Sequence, residues 1–330
     1  MKIALFGYGY WGPNLLRNLL SLPNVKEVQV ADKDRKRLNL LNQKHLKIKT
    51  TVYPEDLIKD PAIDAVVIAT PVNSHFEYAI KALKEGKHVL VEKPMTVSAK
   101  QAEILLDTAE KKNLVLMVDH TFLYNGAVRK MKQILENESF GSIIYLDSKR
   151  INLGIYHSDI SVVWDLASHD LSIINYFFDE TPENLRCIGK VHNTYNTADL
   201  AHMFITYSSG VMVHVNSSWA SPVKIRQMIV GGENKMLIYD DIEPTDKLKI
   251  YDYRHKKDNK RSALIDFRLG DIKIPKFSLR EPLNLMLETF ISSVSKRSEG
   301  ILSPEEEILI IKTLEMADRS MNKGGRLERF

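Results

Sequence analysis

The chain has 330 residues, 44% hydrophobic and 27% charged, with 46 Lys and Arg against 42 Asp and Glu, a formal charge of +4. This composition excludes a disordered chain, and at roughly 100–200 residues per domain the length fits about two domains. The single cysteine excludes an intrachain disulfide and a cysteine-built zinc site, no run approaches the ~18 apolar residues of a membrane span, and the interleaved charges read as solvated surface rather than a nucleic-acid footprint.

The N-terminus lacks the charged, apolar and cleavage regions of a signal peptide, so the expectation is a cytoplasmic protein with no membrane or nucleic-acid partner. Met1-Lys2 runs straight into an apolar strand, Lys2–Phe6, and then a glycine loop, Gly7–Gly12. A helix over Pro13–Ser21 follows, with Leu15, Leu16, Leu19 and Leu20 at helical spacing and Pro13 in the first turn, where its missing N–H is not needed. Val25–Ala31 reads as a second strand and Asp34–Gln43 as a second helix. Further strands are expected at Ala65–Ala69, His88–Val91 and Leu114–Val118, with helices at Ser74–Lys84 and Ser98–Lys111 between them. Ser74 with Glu77, and Ser98 with Gln101, read as capping boxes. Nearly continuous apolar strands alternating with helices predict a doubly wound parallel sheet covered on both faces.

The period changes after about His120. A helix at Ala127–Asn137 leads to a strand at Ser142–Arg150, a glycine-containing segment at Asn152–Val163 and a helix at Trp164–Phe178. Leu200–Tyr207 and Val211–Ser217 flank Ser208-Ser209-Gly210 as a hairpin, and Ile225–Gly231 with Lys235–Tyr239 form a second pair. Cys187, in the apolar stretch Leu185–Val191, reads as a small buried hydrophobe. Arg254–Ser262 reads as a solvated charged loop, and two helices, Leu283–Lys296 and Pro304–Asn322, end the chain. The expected fold class is α/β: a doubly wound parallel-sheet domain over residues 1–119 and an α+β domain over 120–330 whose hairpins make a mostly antiparallel sheet. No internal repeat is visible.

Gly7-Tyr8-Gly9-Tyr10-Trp11-Gly12 is a G-x-G-x-x-G between a strand and a helix, and Asp32 lies 20 residues after Gly12 at the end of the second strand. Gly7 permits the tight turn, Gly9 the approach of a pyrophosphate, and Gly12 close helix–strand packing. An acid at the end of the second strand hydrogen-bonds ribose hydroxyls and repels a 2′-phosphate, which favours NAD over NADP. Lys33, Arg35, Lys36 and Arg37 follow at once; they either offset that repulsion or form the exposed face of the second helix. Thr70-Pro71-Val72-Asn73-Ser74-His75 and Glu92-Lys93-Pro94 both close strands, at the ends where open α/β sheets bind ligands. Proline restricts Lys93 to an extended conformation, and Pro94 could hold a cis bond.

With these motifs, and with Gly86-Lys87-His88-Val89-Leu90-Val91-Glu92-Lys93-Pro94 and Trp164-Asp165-Leu166-Ala167-Ser168-His169-Asp170, the chain resembles the glucose–fructose oxidoreductase/inositol dehydrogenase (Gfo/Idh/MocA) family over essentially its whole length. The resemblance implies a Rossmann domain followed by a domain with a large open sheet, and oxidation or reduction of sugars and polyols with bound NAD(P). It places catalytic roles on Lys93, Asp165 and His169. It places cofactor contacts on Gly7, Gly9, Tyr10, Trp11, Gly12, Asp32, Thr70, Pro71, Asn73, His75, Glu92 and Lys93. Two positions depart from the family pattern: Asp119 and Gly126 stand where members often have Gly and Pro.

Asp165 and His169 are four apart, so on an α-helix they share a face, and Asp165 can orient and polarise His169. With an unperturbed pKa of ~6.5, His169 suits acceptance of a hydroxyl proton near neutral pH. Lys93 then donates to the developing alkoxide, or is itself the base. A metal would have to be nominated from His157, Asp159, Asp165 and His169, whose spacing resembles no metal motif, so none is expected. The segment Arg150–Asp159 and His120-Thr121-Phe122-Leu123-Tyr124-Asn125 are similar to members acting on nucleotide-linked sugars, UDP-N-acetylglucosamine 3-dehydrogenases among them. That similarity nominates His120, Tyr124, Asn152, His157, Asp159 and His169 as substrate contacts. The alternatives are a free sugar or inositol-type polyol dehydrogenase and a non-catalytic NAD- or sugar-binding sensor. A homodimer or homotetramer through the C-terminal sheet is expected.

Overall fold

The computed structural model describes residues 1–154, 156, 159–192, 194–255, 267–296 and 300–330. In chain order, the elements begin β1 (Lys2–Phe6), α1 (Gly12–Ser21), β2 (Glu27–Ala31), α2 (Arg35–Lys44), β3 (Lys49–Thr51), α3 (Pro54–Lys59) and β4 (Ala65–Ile68). Next come α4 (His75–Lys84), β5 (His88–Glu92), α5 (Ala99–Lys111), β6 (Leu116–Asp119), α6 (Gly126–Leu135) and β7 (Ile143–Leu153). Then follow α7 (Ser168–Phe177), β8 (Pro182–Lys190), β9 (Leu200–Tyr207), β10 (Met212–Ser218), β11 (Ala220–Gly232) and β12 (Lys235–Asp240). The chain closes with β13 (Leu248–His255), β14 (Phe267–Lys273), α8 (Pro282–Lys296), α9 (Pro304–Asn322) and β15 (Glu328–Arg329).

The chain divides into two compact units, residues 1–124 with 280–312, and residues 125–279 with 313–330. The segment 280–312 thus groups with the first unit, whereas a division at 119/120 would assign it to the second.

The first unit holds six parallel strands in the order β3-β2-β1-β4-β5-β6. The chain leaves β1 toward β2 and returns to its other side at β4, so the ends of β1 and β4 flank a topological switch point, where this fold class binds ligands. Ala65–Ile68 is buried along its whole length, as a strand covered on both faces must be. The Ser98 hydroxyl caps α5 by accepting the Gln101 N–H at 3.3 Å. Ser74 does not cap α4: its hydroxyl lies 2.7 Å from both Thr70 Oγ1 and the Pro71 carbonyl oxygen, in hydrogen bonds within the 3₁₀ turn of residues 72–74. The sequence does not announce β3 or α3, which are only three and six residues long.

The second unit holds nine strands in the order β14-β13-β12-β11-β7-β10-β9-β8-β15, antiparallel except for the parallel β7–β10 pair. On β9, Ala201, Met203, Ile205 and Tyr207 are buried while His202, Phe204 and Thr206 face outward, the period-two alternation of a sheet with one covered face. The β9–β10 hairpin turns at Ser208-Ser209-Gly210, with Gly210 at φ +88° and its N–H on the Tyr207 carbonyl at 2.9 Å. β8, β13, β14 and β15 were not expected from the pattern. Arg254 falls within β13, and residues 256–262 of the expected charged loop lie outside the described residues. Cys187 is buried on β8, and burial pushes its thiol pKa up to about 12.

Candidate active site

In the first unit, Gly7 has φ +92°, and a Cβ there would run into the Ala69 carbonyl oxygen at the end of β4. A Cβ on Gly12 would collide with the Gly7 carbonyl oxygen, so α1 can start this close to the turn only with glycine. A Cβ on Gly9, by contrast, would meet only the Arg37 Nη1 at 3.5 Å. The loop is therefore closed at its ends and open at its middle, the shape that lets a pyrophosphate reach the backbone. Helix α1 begins at Gly12-Pro13 with no side-chain cap, so the positive end of its dipole is available to an anion. Tyr10 and Trp11 are exposed on this loop.

Asp32 is 7% exposed and rigidly held. Its Oδ2 accepts the Tyr8 N–H at 2.6 Å, which ties the second strand to the glycine loop, and its Oδ1 accepts the Asp34 N–H at 2.8 Å. Of the four cations that follow, Arg37 reaches it, with Nη1 at 3.5 Å from Oδ2. A fixed carboxylate at this strand end, facing an open glycine loop, fits the ribose and pyrophosphate of a dinucleotide.

Thr70 and Pro71 stand at the end of β4 as expected, with Asn73 exposed in the turn beyond them. His75 does not stand with them. It is 2% exposed, with Nδ1 at 3.0 Å from the Pro94 carbonyl oxygen and Nε2 at 2.7 Å from the Thr70 carbonyl oxygen. Burial lowers its pKa. The ring joins the ends of β4 and β5 to each other and presents no nitrogen to a ligand. Lys93 is half-buried, and the Lys93–Pro94 bond is cis. Glu92 is buried and hydrogen-bonded to Asp119, so its carboxyl is spent inside the unit. His120 and Tyr124, expected at the substrate, are 3% and 2% exposed. His120 Nε2 lies 2.9 Å from Glu307 Oε2, and Tyr124 ends a 3₁₀ turn that packs against α8.

In the second unit, Asp165 lies in a π-helical turn, Val163–Ala167, that runs into α7 at Ser168. The wider i→i+5 winding departs from the single α-helix expected over Trp164–Phe178. Within Val162–Asp170 every residue is buried except Asp165 and His169, which are half-buried. The two chemistry-bearing side chains are thus the ones this stretch leaves accessible. Trp219, 1% exposed between β10 and β11, donates its Nε1–H to Asp165 Oδ2 at 3.0 Å. Trp164 Nε1 donates to Asp318 Oδ2 at 2.5 Å, anchoring the same turn. Behind it, Arg150 on β7 grips Asp170, next to His169, through Nε and Nη2 at 2.9–3.2 Å.

Sequence reasoning missed Trp219, Asp318 and the Arg150–Asp170 pair. A tryptophan in a polar inter-strand stretch needs a partner for its N–H, which is the signal that Trp219 carried. Asn152 is half-buried on β7, and Gly154 packs so close to Trp219 that a Cβ there would sit 2.6 Å from the indole. Asp159 is exposed, and His157 lies outside the described residues.

A family model described as oxidoreductase family, NAD-binding Rossmann fold, matches residues 1–120, and a Gfo/Idh/MocA C-terminal domain model matches residues 128–238. The chain is 27% identical over 252 residues to scyllo-inositol 2-dehydrogenase (NAD(+)) of Bacillus subtilis, covering 72% of this chain and 73% of that protein. It is 30% identical over 190 residues to UDP-N-acetylglucosamine 3-dehydrogenase of Acidithiobacillus ferrooxidans, covering 57% and 58%. The solved structure of UDP-N-acetylglucosamine 3-dehydrogenase GnnA from A. ferrooxidans shares the fold with a TM-score of 0.80 at 22% identity, over 98% of each chain. GenD2 from gentamicin A biosynthesis, in complex with NAD, shares it with a TM-score of 0.85 at 18% identity, over 100% of this chain and 96% of that one. With both halves matched and the glycine loop, strand-end acid, Glu-Lys-Pro and Asp-x₃-His motifs in place, the chain belongs to the Gfo/Idh/MocA family of oxidoreductases with an NAD-binding Rossmann fold.

Proposed function

We propose that the protein is a cytoplasmic NAD-dependent dehydrogenase acting on a ring secondary alcohol of a nucleotide-linked sugar, at C3. The observation that carries the reading is the half-buried pair Asp165 and His169, standing out of an otherwise buried turn, with Asp165 held by Trp219. The 30% identity to a UDP-N-acetylglucosamine 3-dehydrogenase supports the substrate class.

The dinucleotide, when bound, supplies the hydride acceptor. The main-chain N–H groups from Gly9 to Gly12, with Tyr10 and Trp11 among them, would hold its pyrophosphate, those of Gly7 and Tyr8 being spent on the Ala31 carbonyl and Asp32, and Asp32 would accept from its ribose hydroxyls. Thr70, Pro71 and Asn73 line the nicotinamide end. Asp32 favours NAD over NADP, since a buried carboxylate repels a 2′-phosphate; Arg37 offsets part of that repulsion. His169 accepts the hydroxyl proton, and Asp165, held by Trp219, orients the imidazole. Lys93 donates a hydrogen bond to the oxygen as it gains negative charge, a contribution of several kcal/mol in a dry, preorganised setting. Asn152 and Asp159 contact the sugar nucleotide.

Incubating the protein with NAD and a panel of UDP-sugars, dTDP-sugars, free sugars and inositols tests this reading. NADH should form with a nucleotide sugar and fall by orders of magnitude in His169→Ala and Lys93→Met. Turnover of inositol but of no nucleotide sugar would replace the substrate class with that of the B. subtilis relative.

The outer face of the nine-stranded sheet supports homo-oligomer formation. Ile188, Phe204 and Met212 project from its outward positions at 53%, 47% and 60% exposure. Phe204→Asp should lower the mass measured by light scattering; an unchanged mass removes this face from the assembly.

A further inference from the structure

The parallel register of β5 and β6 sets Asp119 directly beside Glu92. Both residues are buried, 4% and 8% exposed, and their side chains are hydrogen-bonded to each other. Two carboxyl groups in one dry site cannot both ionise, so the pair shares a proton. The surrounding donors decide where it sits. Asp119 Oδ1 accepts the Thr121 N–H at 3.0 Å and also the Thr121 hydroxyl. Glu92 accepts the Lys93 main-chain N–H. With more donors on Asp119, the negative charge belongs there and the proton on Glu92. Burial and the Asp119 charge push the Glu92 carboxyl well above the usual carboxylate range, in agreement with that assignment. The charged and titratable groups around the pair are Lys93, the residue that follows β5, and His120, which carries Glu307 on its Nε2.

We propose that Asp119 is a positioning residue for Lys93: it draws the negative charge of the two strand ends onto itself, so that the acid preceding Lys93 is neutral. The inference rests on the role given to Lys93 above, and its primary test needs no substrate.

Infrared spectroscopy of the whole protein, titrated with pH, reads the carbonyl stretch of a protonated buried carboxylic acid. That band should be present at neutral pH and lost in Glu92→Gln. In Asp119→Asn its loss should move down by about one pH unit or more, because the neighbouring charge is gone. Thr121→Val removes one donor from the anion and should move it up. Should Asp119→Asn fail to fold, Thr121→Val and Glu92→Gln still decide the matter. No band in the wild type, no effect of Glu92→Gln, or no shift in Thr121→Val overturns the proton assignment, whatever substrate is turned over. Once a substrate is in hand, Asp119→Asn should displace a limb of the kcat pH profile. A loss by the same factor at every pH would make Asp119 merely structural and overturn the positioning role.

Discussion

Replacing Arg150 by methionine tests how the second unit holds the stretch that carries His169. The Arg150 and Asp170 side chains are 4% and 3% exposed, and three contacts of 2.9–3.2 Å join the guanidinium to the carboxylate. Methionine keeps most of the aliphatic stem, so the perturbation is the loss of the charged head. An uncompensated carboxylate then remains in the interior, which costs about 3–5 kcal/mol. For a unit of this size, about 2–4 °C of melting temperature per kcal/mol converts that into a drop of roughly 6–20 °C. Asp170→Leu leaves the guanidinium stranded and should cost a similar amount. The double variant leaves no buried charge, and replacing a buried ion pair by apolar groups is often close to neutral. It should therefore be much more stable than the sum of the singles predicts, with a coupling of about 6–10 kcal/mol in chemical denaturation if the double variant is neutral. Arg150→Met within about 1 kcal/mol of wild type, or singles that simply add, would refute the view that this pair anchors α7 to β7.

Three other perturbations follow from the geometry. Gly12→Val drives side-chain atoms into the Gly7 carbonyl and should abolish dinucleotide binding by calorimetry while the second unit keeps its denaturation midpoint. Trp219→Phe keeps a buried aromatic ring, smaller than the indole, but removes the donor to Asp165; a hydrogen bond to a charged group contributes about 1.5–3 kcal/mol, so kcat should fall roughly ten- to hundredfold with little change in the dinucleotide Kd. The Cys187 thiol, with its pKa raised to about 12, should resist iodoacetamide at pH 8 in the native protein and react on unfolding, as read by mass spectrometry. Between the ordinary thiol pKa near 8.5 and about 12 the unfolded chain binds fewer protons than the folded one, so this group lowers stability as pH rises through that window.

Legibility in the sequence followed burial. Ala65–Ile68 and Ile3–Phe6 are covered on both faces, so their apolar runs announced parallel strands. β3 is three residues, Lys-Thr-Thr, at a sheet edge, and carries no apolar pattern at all. The Ser98 cap could be read locally, whereas the Ser74 cap failed because Thr70 and Pro71 compete for the same hydroxyl. The site motifs located backbone positions well: the glycine loop, Asp32 and Lys93 all stand at strand ends. They did not reveal which way side chains turn. His75, His120 and Tyr124 lie in the expected segments, yet each points into its own unit, and a one-dimensional motif cannot register that. The π-helical turn at Val163–Ala167 was equally hidden, because the apolar spacing of Leu166, Ile173, Ile174 and Phe177 suits a plain α-helix.

Hydride transfer from a sugar carbinol to NAD is measured most directly with an isotope. UDP-N-acetylglucosamine carrying deuterium at C3 should give deuterated reduced dinucleotide by mass spectrometry, at a rate slowed relative to the unlabelled sugar, and Lys93→Met or His169→Ala should suppress it. Reduced dinucleotide without deuterium, or deuterated product formed undiminished by both variants, would contradict the assignment of the reacting carbon and of the residues that serve it.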